Sequence, residues 1–168
     1  MRLINIGVAV RKRNRYVADM QVERSTSLPA PEHAVRDALL DPELLSAWLG
    51  EWTPDTDGAA SVLTDDGVRR RVSGHRVDDD GNVRWTWWAE DGSTAPSEVV
   101  VELSHQVDAT RLVVRETSLT ASPSQPVSSD HSERSAGASC FAGSGSRWTA
   151  CLLALGAVLE QRRSLVTV

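Results

Sequence analysis

The chain has 168 residues, 40% hydrophobic and 24% charged, with a net charge of −5 at neutral pH. That length suits one domain with a surplus, and the acidic balance excludes a nucleic-acid binder held by overall charge. No apolar run reaches the length of a membrane span, and Cys140 and Cys151 fit no metal spacing and suit a reducing compartment.

The first ten residues are largely apolar, but the basic cluster Arg11, Lys12, Arg13 and Arg15 follows them, the reverse of a secretory signal. The expected location is cytoplasmic, and residues 1–16 read as an appendage, either a flexible arm or an added edge strand. Lys12 is the sole lysine, a compositional mark of a GC-rich bacterial genome. A strand is expected from Val17 to Leu28. Leu28-Pro29-Ala30-Pro31 stops it, because proline cannot donate to a ladder, and Pro31 suits the opening of a helix. Ala34, Val35, Ala38 and Leu39 give that helix one apolar face. Asp41-Pro42-Glu43 restarts it with an N-cap, a first-turn proline and an acid at the positive helix end. Leu44, Leu45, Trp48 and Leu49 form the buried face of this second helix, and Gly50 ends it.

Short alternating runs follow: Ala60 to Thr64, Val68 to Val77, Asn82 to Ala89, Glu98 to His105 and Arg111 to Leu119. Turn signals separate them at Asp65-Asp66-Gly67, Asp78 to Asn82 and Glu90-Asp91-Gly92. With no helix between them, an antiparallel meander is expected. Alternation puts Val83, Trp85, Trp87, Val99, Val101, Leu103, Leu112, Val114 and Glu116 on the inner face, and Glu102, Arg111, Val113 and Arg115 outside. Residues 121–146 are serine-rich and almost without large apolar side chains, so a mobile loop is expected there. Trp148, Cys151, Leu152, Leu155, Val158 and Leu159 then recur at helical spacing, marking a long closing helix from about Ser146 to Arg163.

The segment Leu28-Pro29-Ala30-Pro31-Glu32 with Asp41-Pro42-Glu43-Leu44-Leu45 and Ala47-Trp48-Leu49-Gly50 resembles the opening of the SRPBCC (START/Bet v 1-like) superfamily. It is most similar to the branch named for the activator of Hsp90 ATPase homologue 1-like proteins. Val72-Ser73-Gly74, Val83 to Trp88, Thr110-Arg111-Leu112-Val114 and Trp148 with Leu152, Leu155 and Leu159 extend the likeness over about residues 18–163. One departure is Arg147, where the branch usually has glycine. The resemblance implies an α+β helix-grip fold. In it a curved antiparallel sheet of six or seven strands wraps a long C-terminal helix, with two short helices after the first strand. The domain is expected to span residues 17–165.

The expected function is binding of a hydrophobic small molecule between sheet and closing helix, without catalysis, cofactor, metal, nucleic acid or membrane. Trp48, Trp85, Trp87, Val101, Leu112, Val114, Trp148, Leu152 and Leu155 are the candidate lining, with Glu116 as its polar contact. Packing alone would also bury these residues, and Glu116 could equally sit solvated at a cavity mouth. Two alternatives stand beside this reading. One is a polyketide cyclase or dehydratase-like enzyme using Glu116 and His75 as acid and base. The other is a protein-interaction module of the cochaperone kind. His75 is otherwise expected exposed on its strand, Arg76 and Arg84 outward, and Arg69-Arg70-Arg71 paired with surface acids.

Overall fold

A computed structural model describes residues 21–119 and 144–166 of the protein. The predicted appendage at 1–16 lies outside the described residues, as does most of the serine-rich segment and Cys140. The chain runs β1 (Gln21–Leu28), α1 (Glu32–Leu40), α2 (Pro42–Trp48), β2 (Glu51–Pro54), β3 (Ala60–Leu63), β4 (Arg69–Val77), β5 (Val83–Ala89), β6 (Ser97–Gln106), β7 (Ala109–Ser118) and α3 (Ser144–Val166). The last three residues of the expected loop, 144–146, are the first turn of α3.

The seven strands form one sheet in the order β1-β7-β6-β5-β4-β3-β2, with every neighbouring pair antiparallel. First and last strands therefore lie side by side, and α1 and α2 carry the chain across to the far edge. Asp41 places this crossover: its carboxylate accepts from the N–H groups of Glu43 (2.8 Å) and Leu44 (3.3 Å), capping α2 behind Pro42. The cap commits Leu44, Leu45 and Trp48 to the interior, and the Trp48 indole N–H donates to the Ala38 carbonyl at 2.8 Å, tying α2 to α1.

Strict alternation on β5 buries Val83, Trp85, Trp87 and Ala89, and matching registers bring Val99, Val101, Leu112, Val114 and Glu116 to the same face. Trp148, Cys151, Leu152, Leu155 and Leu159 of α3 cover that face and complete one core. Val113, expected outside, is nonetheless only 8% exposed; it lies between Ser25 and Glu102 in the flanking strands. β2 is an element the alternation did not reveal. It is a four-residue edge strand with a single half-buried side chain, Trp52, so it carries no period to detect.

β4 breaks its own alternation. A register shift between Ser73 and Arg76, with Gly74 at φ +68°, is a bulge that re-aims the following side chain. His75, expected exposed, instead turns toward the grip and packs between Trp52 and Trp85. Among the described residues no helix is long and apolar enough to cross a membrane.

Candidate functional site

All ten expected lining residues are buried on one continuous surface between sheet and closing helix. Trp48, Trp85, Trp87, Val101, Leu112, Val114, Glu116, Trp148, Leu152 and Leu155 are each 4% exposed or less. The aromatic rings form a chain. Trp52 meets His75 at 5.1 Å between centroids, His75 meets Trp85 at 5.7 Å, and Trp85 meets Trp87 at 6.1 Å and Trp148 at 6.2 Å. Trp87 and Trp148 stack at 5.5 Å with 28° between planes. These separations and tilts are those at which aromatic quadrupoles attract.

Glu116 is the polar centre of this surface. It is 3% exposed, so it is not a solvated carboxylate at a cavity mouth. Its Oε1 accepts from the Trp87 indole N–H (3.0 Å) and the Ser97 hydroxyl (2.8 Å), and its Oε2 from the Trp148 indole N–H (2.8 Å). The Arg147 guanidinium completes the set at 3.0 Å from Oε2 and 3.4 Å from Oε1. A carboxylate offers about four lone-pair positions, and these donors fill them. Burial of the charge is tolerated because Arg147 neutralises it and every acceptor position is met.

The network extends outward from Arg147, whose Nη1 reaches Asp66 at 3.5 Å. Asp66 in turn forks onto Arg70, with contacts of 3.0 and 2.7 Å, and Thr64 sits against both. Both guanidiniums lie against Trp87, with Cζ of Arg147 5.0 Å and of Arg70 5.4 Å from the ring centroid. Arg70, expected at the surface beside Asp65 and Asp66, does pair with Asp66 but is buried, whereas Arg71 pairs at the surface with Asp55 and Asp57 instead of those two acids. Arg84 also faces outward, held by Asp78 and Glu98. Ser97 and Arg147 escaped the sequence reading as partners of Glu116, as did Asp66 and Arg70 as the groups that extend the network beyond Arg147. The available signal was parity: Ser97 shares the inner face with Val99 and Val101, and Arg70 with Val72.

Burial alone would raise the Asp66 carboxyl. Hydrogen bonds from Arg70, Thr64 and the Val68 N–H, with the Arg70 charge, overcome that and hold it well below the usual carboxylate range. A depressed carboxyl contributes stability above its unfolded pKa near 4, and that contribution drains away as pH falls toward the folded value. Asp66→Asn is expected to lose less stability than the parent protein on going from about pH 5 to about pH 3, as read from urea midpoints. Equal losses would show that Asp66 is not a coupled group.

His75 is held neutral by burial, which lowers its pKa against the raising effect of the Leu39 carbonyl. Its Nε2 lies 2.9 Å from that carbonyl, which can only accept, so the proton sits on Nε2. The Cys151 thiol is pushed up to about 11, chiefly by burial and against the opposing Arg147 charge. That keeps it an unreactive core group. Among the described residues no cluster of three or more His, Cys, Asp or Glu is placed to hold a metal. Two buried polar atoms of this site have no hydrogen-bond partner among the described residues: the Nε of Arg147 and the indole N–H of Trp85, in a side chain 1% exposed.

A seven-stranded antiparallel sheet gripping a C-terminal helix, with two short helices after the first strand, is the helix-grip fold of the Bet v 1-like class. Solved structures of that fold superpose on the chain. DynU16, from the dynemicin biosynthetic locus, matches with a TM-score of 0.64 at 22% identity, covering 84% of this chain and 48% of DynU16. CalU16 from Micromonospora echinospora matches at 0.61 and 19% identity, over 83% of this chain and 65% of CalU16. Ara h 8.0201 matches at 0.60 and 12% identity, over 84% and 97%. The chain thus spans about half the length of DynU16. The model of the family "Activator of Hsp90 ATPase homolog 1-like protein" matches residues 29–159, and the chain belongs to that family. No curated protein sequence matches the chain.

Proposed function

We propose that this protein is a cytoplasmic binding protein for a flat, largely apolar small molecule carrying one hydrogen-bond acceptor, held between the sheet and α3. The observation that carries the reading is the Trp85 indole N–H, buried without a partner among three other aromatic rings, those of His75, Trp87 and Trp148. Leaving such a donor unmet costs about 1–3 kcal/mol, a cost that a bound acceptor relieves. Trp48, Trp85, Val101, Leu112, Val114, Leu152 and Leu155 supply the apolar walls. Glu116 then acts as organiser instead of ligand contact, since its lone pairs already hold Trp87 and Trp148 in place. These rings pack on one another, so entry requires α3 to move outward from the sheet.

The acid–base alternative has no supporting geometry. Glu116 is saturated by four side chains, the His75 Nε2 proton is committed to Leu39, and the rings of Trp85 and Trp87 stand in line between them. An interaction module fares no better, because among the described residues the exposed large apolar side chains, Val77, Val107, Leu119, Leu153 and Leu165, are spread over the end of β4, the β6–β7 turn, the end of β7, and the middle and last turn of α3.

The test is tryptophan fluorescence and native mass spectrometry with a panel of planar ketones, flavonoids and fatty acids. A saturable response is expected from the ketone-bearing planar members. Trp85→Phe, which keeps a ring and removes the N–H, is expected to weaken binding about tenfold. It is also expected to cost about 2 kcal/mol less stability than Trp148→Phe, because it deletes an unmet donor where the other strands Glu116. Unchanged affinity in Trp85→Phe, or no response across the panel, would remove this reading.

A further inference from the structure

The two unmet donors of the aromatic surface stand on opposite jaws of the grip. The Trp85 indole N–H belongs to β5 in the sheet, and the Arg147 Nε belongs to the first turn of α3. The other nitrogens of Arg147 are occupied: Nη2 holds Glu116 and the Ser144 hydroxyl, each at 3.0 Å, and Nη1 reaches Asp66 at 3.5 Å. Nε alone is left over. Trp87 links it to Trp85, because its ring centroid lies 6.1 Å from the Trp85 centroid and 5.0 Å from the Arg147 Cζ. A fused tricycle lying along Trp87 is long enough to reach both donors. The Nε atoms of Arg24 and Arg84 are unmet as well, but neither guanidinium stacks on an aromatic ring among the described residues; Arg24 lies against Gly145 and Arg84 faces outward.

Donors and charge together set the class of occupant. Two bare donors call for two acceptors, and a ligand with one leaves the other donor buried and unmet. Within the network Glu116 and Asp66 balance Arg147 and Arg70, so an ionic occupant would be buried without a counter-charge, and a neutral one is selected. Glu116 spends its acceptor positions on Trp87, Trp148, Ser97 and Arg147, which leaves it none for a ligand hydroxyl. We propose that the occupant of the grip is a flat, neutral dione with its carbonyl oxygens at opposite edges of a fused ring system, one accepting from Trp85 on the sheet and the other from Arg147 on α3. This inference rests on the grip being a binding site and makes Arg147 a residue that sets its specificity. Arg147 stands where the branch usually has glycine, so the second contact belongs to this chain.

The experiment is a ¹H–¹⁵N NMR titration of the full chain with anthraquinone and with anthrone, which keeps the tricycle and a single carbonyl. Anthraquinone is expected to shift both the Trp85 indole and the Arg147 Nε–H signals, and to bind about tenfold tighter than anthrone. Arg147→Met keeps the length of the side chain without its donors, and is expected to bring the two tricycles to equal affinity. The comparison is made within one variant, so a general loss of stability cancels. Trp85→Phe is expected to equalise them too, since the one remaining donor serves either ligand, and it keeps the test open should Arg147→Met fail to fold. Equal affinity in the parent protein, or an anthraquinone preference that survives either substitution, overturns the two-point contact and leaves the apolar site with its Trp85 donor standing. Failure of both tricycles to bind removes the binding reading itself, and this inference with it.

Discussion

Glu116→Leu is expected to destabilise the protein by about 3–5 kcal/mol, the usual cost of removing one partner from a buried ion pair. The loss is large because the leucine leaves three neutral donors and one cation facing an apolar side chain. The indole N–H groups of Trp87 and Trp148 and the Ser97 hydroxyl, all buried, lose their acceptor, and the Arg147 guanidinium loses its closest carboxylate. Against a domain stability of about 5–15 kcal/mol, that change puts a measurable fraction of molecules in the unfolded state. The double variant Glu116→Leu with Arg147→Leu separates charge from hydrogen bonding. It removes the unpaired cation while the two indoles and Ser97 stay unmet, so it is expected to recover part of the loss, about 1–2 kcal/mol. Urea denaturation of the two single variants and the double one supplies the cycle. A Glu116→Leu loss below about 1 kcal/mol would mean that the network does not hold the grip closed.

That network also marks where sequence stops being informative. Period-2 alternation placed Trp85, Trp87, Val114 and Glu116 on the inner face, and the structure agrees strand by strand. The Asp41-Pro42 cap was equally legible, because a cap is satisfied within three residues. The burial of Glu116 was not, because its donors Trp87 and Trp148 lie 29 and 32 positions away and Arg147 belongs to another element. Alternation says which way a side chain points but not whether partners meet it there. His75 failed differently: the bulge at Gly74 shifts the parity of β4, and a rule of period two carried through it assigns the wrong face. The cleft that Pro29, Ala34, Leu159 and Arg162 line between α1 and α3 had no sequence signal, since it is made by two helices meeting across more than a hundred residues of chain.

Gly50→Ala is expected to be the second most damaging change, costing about 3 kcal/mol or more, although it adds a single methyl group. Two effects combine. Gly50 has φ +139°, a conformation that side-chain-bearing residues rarely adopt. An added Cβ would also lie 2.4 Å from the Leu63 carbonyl oxygen, 3.0 Å from its carbon and 3.1 Å from the Thr64 Cα. Those are backbone atoms of β3 and its turn, and the pairing of Glu51 with Leu63 fixes them, so no side chain can swing aside. Relief requires β2 to shift, which moves Trp52 away from His75 and loosens the outer end of the aromatic chain. Gly58→Ala is the matched control: φ is +78° and nothing lies within 4 Å of the added carbon, so only the conformational cost of about 1–2 kcal/mol remains. Urea unfolding of both variants isolates the clash as the difference between them. Equal losses would mean that β3 yields to the methyl group. The junction of α2 with the sheet would then be a soft edge of the grip instead of its fixed end.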